Sequence, residues 1–160
     1  MGLVSSEPRG ELERLAYDLS LRTLGQQEAV LDELRSRTGI LLTAIALVTS
    51  FLGARALQGG ASPWFGLTGL GAAVISILVS IYVLAPKSRL TFLIDAPAVF
   101  EYFARAESDL AEAHRTLAYW NQETWRGNQA VIDRLVSLFT KACGFLVLSV
   151  ILWSLGLALD

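Results

Sequence analysis

The sequence contains one cysteine, Cys143, and one histidine, His114, among its 160 residues. A single cysteine excludes a disulfide within the chain and leaves no thiol cluster to bind a metal. A Ser-His-Asp catalytic set would have to use His114, which lies between Glu112 and Arg115 on a helix that we expect to be exposed. The sequence also has no glycine-rich phosphate-binding loop. We therefore predict that the protein is not an enzyme and has no cofactor.

Charged residues are scarce, at 18% of the chain, while hydrophobic residues make up 53%. No charge occurs in three runs, residues 38–54, 56–86 and 142–159, which are 17, 31 and 18 residues long. A helix needs roughly 20 apolar residues to span about 30 Å of hydrocarbon. A small soluble core could not cover three helices that are apolar around their whole circumference. The runs therefore predict an integral membrane protein.

The basic residues that flank these runs have a consistent sense. They lie before the first run, after the second and before the third, whereas the loop 57–64 carries no charge. Arg55, between the first two runs, is the exception; we expect its side chain to reach the far headgroups, with a role at a pore mouth or in pairing with a partner as the alternative. The positive-inside rule then places the N-terminus and the central segment in the cytoplasm. Four basic residues lie where cytoplasmic helices would couple to the spans, and we expect them to contact lipid headgroups or an anionic ligand. They are Arg35, Arg37, Lys87 and Arg89.

The fold class that we predict is an all-α integral membrane protein with three transmembrane helices. A cytoplasmic helical bundle would be formed by the N-terminal helix and by the segment between spans two and three. Two sets of apolar residues recur at helical spacing and predict the apolar face of the N-terminal helix, namely Leu12, Leu15 and Leu19, and then Val30, Leu31 and Leu34. The predicted parts are a cytoplasmic helix 1–37, span one 38–58, an outer loop 59–64, span two 65–86, a cytoplasmic helical segment 87–141 and span three 142–159.

Small side chains recur at four-residue spacing in the first two spans. Such stripes let helix backbones approach closely, so we interpret them as helix-packing surfaces. Lining of a pore is the alternative, and it would need several chains because three helices are too few to enclose one. None of the spans holds an acid, a histidine or a lysine, which argues against a proton-coupled transporter. The small residues are Ala46, Ser50, Ala54, Gly69, Ala72, Ala73, Ser76 and Ser80.

The central segment 87–141 is rich in aromatic residues and balanced in charge. Seven basic residues face seven acidic ones, so direct binding of nucleic acid is not expected. Most of the aromatic residues should build the small helical core. Trp125 is the one that we expect to remain available to a partner.

The order of these parts carries a resemblance to a known group of proteins. A cytoplasmic helix containing "LDELRSRTG" leads into the first span, and the second span ends in "YVLAPKSRL" before further cytoplasmic helices. Over residues 12–125 this arrangement is similar to the SLATT and Pycsar-type transmembrane effectors of bacterial conflict systems. The resemblance implies an antiviral effector that disrupts the membrane or forms a channel when a nucleotide second messenger or a partner sensor triggers it.

The chain departs from the commoner pattern of these effectors in two ways. A third span follows the cytoplasmic helices, and no cyclic-nucleotide-binding domain is appended, so we expect the trigger to come through a neighbouring protein. The expected function is a homo-oligomeric, pore-forming effector of the bacterial inner (plasma) membrane, multi-pass with its N-terminus in the cytoplasm. Its expected partners are membrane lipids, further copies of the chain, and a nucleotide second messenger or sensor protein. The alternative is a non-catalytic scaffold or adaptor that anchors partner proteins at the cytoplasmic face.

Overall fold

The computed structural model describes residues 7–55, 63–86, 90, 92, 96–106 and 109–159. These residues form α-helices and contain no strand, in agreement with the predicted all-α class. The predicted outer loop falls mostly on residues 59–62, which lie outside the described residues, as do Lys87 and Arg89. The helices are α1 (Glu7–Val48), α2 (Pro63–Leu84), α3 (Ala96–Ala106) and α4 (Leu110–Ala158), and α1 continues into a π-helical turn, Thr49–Gly53.

Three helical segments of this part of the chain are long and apolar enough to cross a membrane, which confirms the prediction at that level. They are Gly10–Gly53, Trp64–Leu84 and Leu110–Ala158. In the most apolar 18-residue stretch of each segment, only 22%, 33% and 17%, respectively, is buried within the chain. Most of these apolar side chains are therefore left to contact lipid or another protein surface.

The helix boundaries follow from local chemistry. Pro63 occupies the first position of α2, where its missing N–H would be unpaired in any case, and α2 ends at Leu84, shortly before Pro86. At the start of α4, the carboxylate Oδ1 of Asp109 accepts a hydrogen bond from the backbone N–H of Ala111 at 2.8 Å. Asp109 is therefore the N-cap of α4. The 49 residues of α4 contain no proline that would stop the helix.

The chain divides into two compact units. The first unit consists of Met1–Leu31 and Lys87–Ile132, and the second consists of Asp32–Pro86 and Asp133–Asp160. Both α1 and α4 contribute residues to each unit, because neither helix is interrupted at the boundary. The prediction that helices run unbroken from the charged segments into spans one and three is confirmed for these two helices.

Within the second unit, α2 runs antiparallel to α4. Ser76 of α2 bonds to Ala142, and Gly66, ten residues earlier on α2, bonds to Trp153, which lies later on α4. One buried cluster joins Leu41, Ile45 and Ala142. A second cluster centres on Ala73 and Trp153, with Val48 and Leu52 of α1 and its π-helical turn packed against it.

Buried residues of α1 recur at alternating spacings of four and three residues. An average spacing of about 3.5 residues is typical of a left-handed coiled coil. In the first unit, Ser20 contacts Asn121 and Gln27 contacts Gln129, so α1 and α4 pair in parallel there. The buried positions on α1 are Ser20, Leu24, Gln27 and Leu31 in the first unit and Leu34, Thr38, Leu41 and Ile45 in the second. Those on α4 are Asn121, Asn128 and Ile132 in the first unit and Leu135, Ala142, Ser149 and Trp153 in the second.

This pattern corrects the first part of the predicted apolar face of the N-terminal helix, whereas Leu31 and Leu34 of that face are buried. The side chains of Leu12, Leu15 and Leu19 are 65%, 54% and 51% exposed, so none of them is a core residue of this chain. The reason is that the buried positions of the helix in this region belong to polar residues. Leu19 directly precedes the buried Ser20 and lies to one side of the contact between α1 and α4.

Candidate functional site

The most unusual feature of the first unit is a set of polar residues at core positions. On each of the two paired helices, three polar side chains follow one another at seven-residue intervals, which is one residue per heptad. The pairing of Ser20 with Asn121 puts the corresponding members of the two sets close to the same level. We call this set the polar seam, and it consists of Glu13, Ser20 and Gln27 of α1 and His114, Asn121 and Asn128 of α4.

The middle level of the seam is a short chain of two hydrogen bonds, one between the helices and one within α1. The amide Nδ2 of Asn121, which is fully buried, donates to Ser20 Oγ at 2.8 Å. Ser20 Oγ in turn donates to the backbone carbonyl of Tyr17 at 2.7 Å. This level therefore fixes the relative register of α1 and α4 through specific donors and acceptors rather than through apolar contact.

The next level is also built from amides. Gln27 Nε2 donates to Gln129 Oε1 at 2.9 Å and to the backbone carbonyl of Trp125 at 3.0 Å. Gln27 is 5% exposed, so this branched contact is shielded from solvent. Trp125 was predicted as a partner-binding residue. Its side chain is half-buried and its carbonyl takes part in the seam.

The remaining level contains an acid, Glu13, and an imidazole, His114. Glu13 precedes Ser20 by seven residues and His114 precedes Asn121 by seven. The ring of His114 stacks on Tyr17 with centroids 5.4 Å apart and an angle of 25° between the planes. His114 is thus half-buried against the neighbouring helix.

Every level of the seam has one buried acceptor oxygen without a hydrogen-bond partner among the described residues. These atoms are Glu13 Oε2, Asn121 Oδ1 and Gln27 Oε1. A buried polar atom left without a protein partner costs about 1–3 kcal/mol. The polar seam therefore makes the pairing of α1 with α4 in the first unit specific in register and low in stability.

The second unit holds its helices together differently, around Trp153. This side chain is fully buried, and its Nε1–H donates to the carbonyl of Gly66 at 3.2 Å. A Cβ built on Gly69 would lie 2.6 Å from Trp153 Nε1, and one built on Gly53 would lie 3.2 Å from the opposite edge of the indole. Glycine at position 69 thus lets α2 approach the ring more closely than any larger residue could, and Gly53 lies close to the ring on its other side.

The small residues predicted from the sequence fall into two groups. Those of α2 are buried inside the second unit, whereas those of α1 are exposed and do not contact the core of this chain. The buried group is Gly69, Ala72, Ala73, Ser76 and Ser80, and the exposed group is Ala46, Ser50 and Ala54.

Two buried serines of α2 allow a direct measurement of interhelical hydrogen bonding. Ser76 Oγ donates across to the carbonyl of Ala142 at 2.7 Å, whereas Ser80 Oγ donates to the Ser76 carbonyl within its own helix at 2.8 Å. We expect Ser76→Ala to lower the free energy of unfolding in detergent by about 0.6–1.7 kcal/mol, because an interhelical bond is lost. The matched variant Ser80→Ala should change it by less than about 0.5 kcal/mol. Equal effects of both substitutions would contradict this assignment.

Two of the four basic residues predicted to couple the helices to the membrane, Arg35 and Arg37, have partners on their own helix. Arg35 contacts Asp32 at 3.5 Å and Arg37 contacts Glu33 at 2.5 Å, four or fewer residues away. Both pairs are largely exposed, and such pairs contribute little to stability. Contact of these arginines with headgroups or an anionic ligand stays a prediction.

The part of the chain that the structure describes contains no group of three or more His, Cys, Asp or Glu side chains that could hold a metal ion. In comparisons with known proteins, no family model, curated protein or solved structure matched the chain. Inferences about function therefore rest on the geometry of the two units and on the sequence itself.

Sequence reasoning did not find the polar seam, although a signal for it exists. A search for apolar residues at helical spacing selects the leucines of α1 and passes over Ser20 and Gln27. Two polar sets with a seven-residue period, on two segments that lead into apolar runs, would have revealed it. The sequence carries no comparable signal for the contact of Trp153 with Gly53, Gly66 and Gly69. A glycine that contacts an indole cannot be distinguished in the sequence from any other glycine of a span.

Proposed function

We propose that this protein is a homo-oligomeric effector of the bacterial inner membrane. In this proposal it increases membrane permeability when a nucleotide signal or a sensor protein triggers it, as in defence against phage. Three apolar helices support the membrane location. The trigger and the defensive role come from the resemblance of residues 12–125 to SLATT and Pycsar-type effectors. The flanking charges support a cytoplasmic N-terminus.

The polar seam is the observation that carries the proposal. It joins the two helices whose later residues form two of the three candidate spans. A ligand or partner that binds one pairing of α1 and α4 better than another would shift the population of pairings, and the attached spans would follow. Leucine at all of these core positions would stabilise a single pairing of α1 and α4. The unpartnered oxygens of the seam instead make the present pairing less stable, so a shift to another pairing takes less free energy.

The energies involved are of a suitable size. Converting a 1:99 mixture of two states into 99:1 takes about 5.5 kcal/mol of differential binding. In this proposal, a pairing that satisfies the three buried oxygens would gain about 1–3 kcal/mol for each of them, which reduces the differential binding that a trigger must supply. A single ligand or partner protein would then act as the switch.

A second feature supports assembly between copies inside the membrane. Ala46, Ser50 and Ala54 form a stripe of small residues that faces away from the core of this chain. Ser50 Oγ donates to the carbonyl of Ala46 at 2.8 Å, which satisfies its hydroxyl within the helix. Such a stripe suits close helix packing between copies or the lining of a narrow path.

A membrane scaffold or adaptor is the second candidate. The observation that favours it is the exposed apolar surface of the first unit, which includes Leu12, Leu15 and Leu19. A surface of this kind outside a membrane marks a site of protein interaction. An adaptor would bind partners through it without changing the permeability of the membrane.

Membrane potential in bacterial cells separates the two candidates. We expect regulated expression, with the genes that flank this one, to lower the signal of a voltage-sensitive dye. The double variant Gln27→Leu, Asn121→Leu should insert to the same level and depolarise the cells less, because leucine at these core positions stabilises one pairing. Unchanged potential for the natural protein, with its neighbours present, would contradict the effector and favour the adaptor.

A further inference from the structure

A groove runs along the first unit between α1 and α4. It has a volume of about 450 Å³, and leucine, alanine and tyrosine residues make up half of its lining. Leu12 and Leu19 of α1 and Tyr119 of α4 line it while 65%, 51% and 68% exposed. The charged residues of the first unit exclude it from hydrocarbon, so lipid tails do not cover these side chains. An apolar groove in water is typical of an interface.

The groove carries one acidic and one basic residue on opposite walls. Glu13 lines the α1 side, and its Oε2 is buried without a hydrogen-bond partner in the described part of the chain. Arg115 lines the α4 side and is exposed. The described residues place neither side chain in a salt bridge. A surface with one unpaired acid and one unpaired base is complementary in charge to a copy of itself.

The two charges also lie at nearly the same level along the helices. Ser20 and Asn121 are joined at 2.8 Å, and α1 and α4 run in parallel. Glu13 lies seven residues before Ser20, and Arg115 lies six before Asn121. At about 1.5 Å per residue their levels differ by roughly one residue.

Membrane insertion then selects one symmetry. Copies of a membrane protein share a single orientation, so a two-fold axis that relates two of them runs along the membrane normal. Where this axis runs parallel to α1 and α4 of the first unit, the two surfaces meet at equal residue levels. With α1 of one copy against α4 of the other, Glu13 of each copy meets Arg115 of the other.

We infer that this groove binds the same groove of a second copy, with all four helices parallel. The two grooves bury Leu12, Leu19, Ala118 and Tyr119 against each other and form two Glu13–Arg115 pairs. This interface rests on the proposed self-association and specifies its surface. It is separate from the small-residue stripe of the spans, so a higher oligomer can use both.

Charge exchange tests the pairing. We expect Glu13→Arg and Arg115→Glu each to weaken dimerisation of the full chain in lipid nanodiscs or detergent by at least about tenfold, because each creates two like-charge contacts. The double variant Glu13→Arg, Arg115→Glu should restore it. Restoration separates an interface from a general folding defect, and a double variant as weak as the single ones would overturn the inference.

Cross-linking tests the position of the contact. The test uses two differently tagged copies in a Cys143→Ala background, one with Leu19→Cys and the other with Tyr119→Cys. The two positions lie within about one residue of the same level along the paired helices. We expect a disulfide between the two copies on oxidation. The matched pair Leu21→Cys with Tyr119→Cys should not form it, since Leu21 is exposed outside the groove. Copies that assemble without the Leu19–Tyr119 link would overturn this interface alone, whereas copies that stay monomeric at every concentration would overturn the proposed oligomer as well.

Discussion

Gly69→Ala should destabilise the second unit by about 2–3 kcal/mol, although it adds only one methyl group. The new Cβ would lie 2.6 Å from Nε1 and 2.7 Å from Cδ1 of Trp153, which is closer than real Cβ contacts allow. The indole cannot retreat, because it is fully buried and Gly53 contacts its other edge. Moving it would also break the 3.2 Å hydrogen bond to Gly66.

The measurement is reversible unfolding in mixed detergent micelles, followed by circular dichroism. Gly71→Ala is the matched control, because Gly71 lies two residues further along α2 and a Cβ there would meet nothing within 4 Å. We expect this control to change the free energy of unfolding by less than about 0.5 kcal/mol. If Gly69→Ala changed the free energy of unfolding as little as Gly71→Ala, the close packing of Gly69 against Trp153 would be wrong.

Asn121→Leu should have the opposite sign and raise the free energy of unfolding by about 1–2 kcal/mol. The substitution removes a fully buried amide whose Oδ1 has no partner, and leucine packs well at this core position of a parallel pair. Ser20 Oγ keeps its bond to the Tyr17 carbonyl. The gain comes from the loss of the buried polar group.

The reverse exchange provides the control. Leu135 lies two heptads after Asn121 at the same core position and is 2% exposed. We expect Leu135→Asn to lower the free energy of unfolding by about 2–4 kcal/mol, because it buries an amide without a designed partner. A loss of stability from Asn121→Leu would mean that the polar seam stabilises the first unit, and the proposed weakness of that pairing would be wrong.

The membrane helices could be predicted from the sequence because their signal is local. A run such as 56–86 is uncharged over its whole length, and no tertiary contact is needed to recognise it. Continuity of α1 and α4 also followed from local signals, since no proline interrupts either helix interior.

The candidate site could not be predicted in the same way. The surface of α1 that meets α4 depends on a partner about 100 residues away in the sequence, and polar atoms are tolerated there only because Asn121 reaches Ser20 and Gln27 reaches Gln129. Apolar periodicity therefore pointed to Leu12, Leu15 and Leu19, which lie on the free surface. Leu12 and Leu19 line the groove between α1 and α4 of the first unit, and Leu15 is exposed outside the groove lining.

The central claim is that rearrangement of the polar seam changes the permeability of the membrane. A disulfide across the seam tests it most directly, and Ser20 and Asn121 are the facing residues that contact each other there. The variant Ser20→Cys, Asn121→Cys in a Cys143→Ala background would be reconstituted, together with the proteins encoded by the flanking genes, in vesicles that hold a potassium diffusion potential, with Cys143→Ala alone as the control. The account predicts that the oxidised, locked protein preserves the potential and that reduction lets it dissipate to the level of the control. Equal dissipation before and after reduction, or a control that preserves the potential at every protein density, would contradict it.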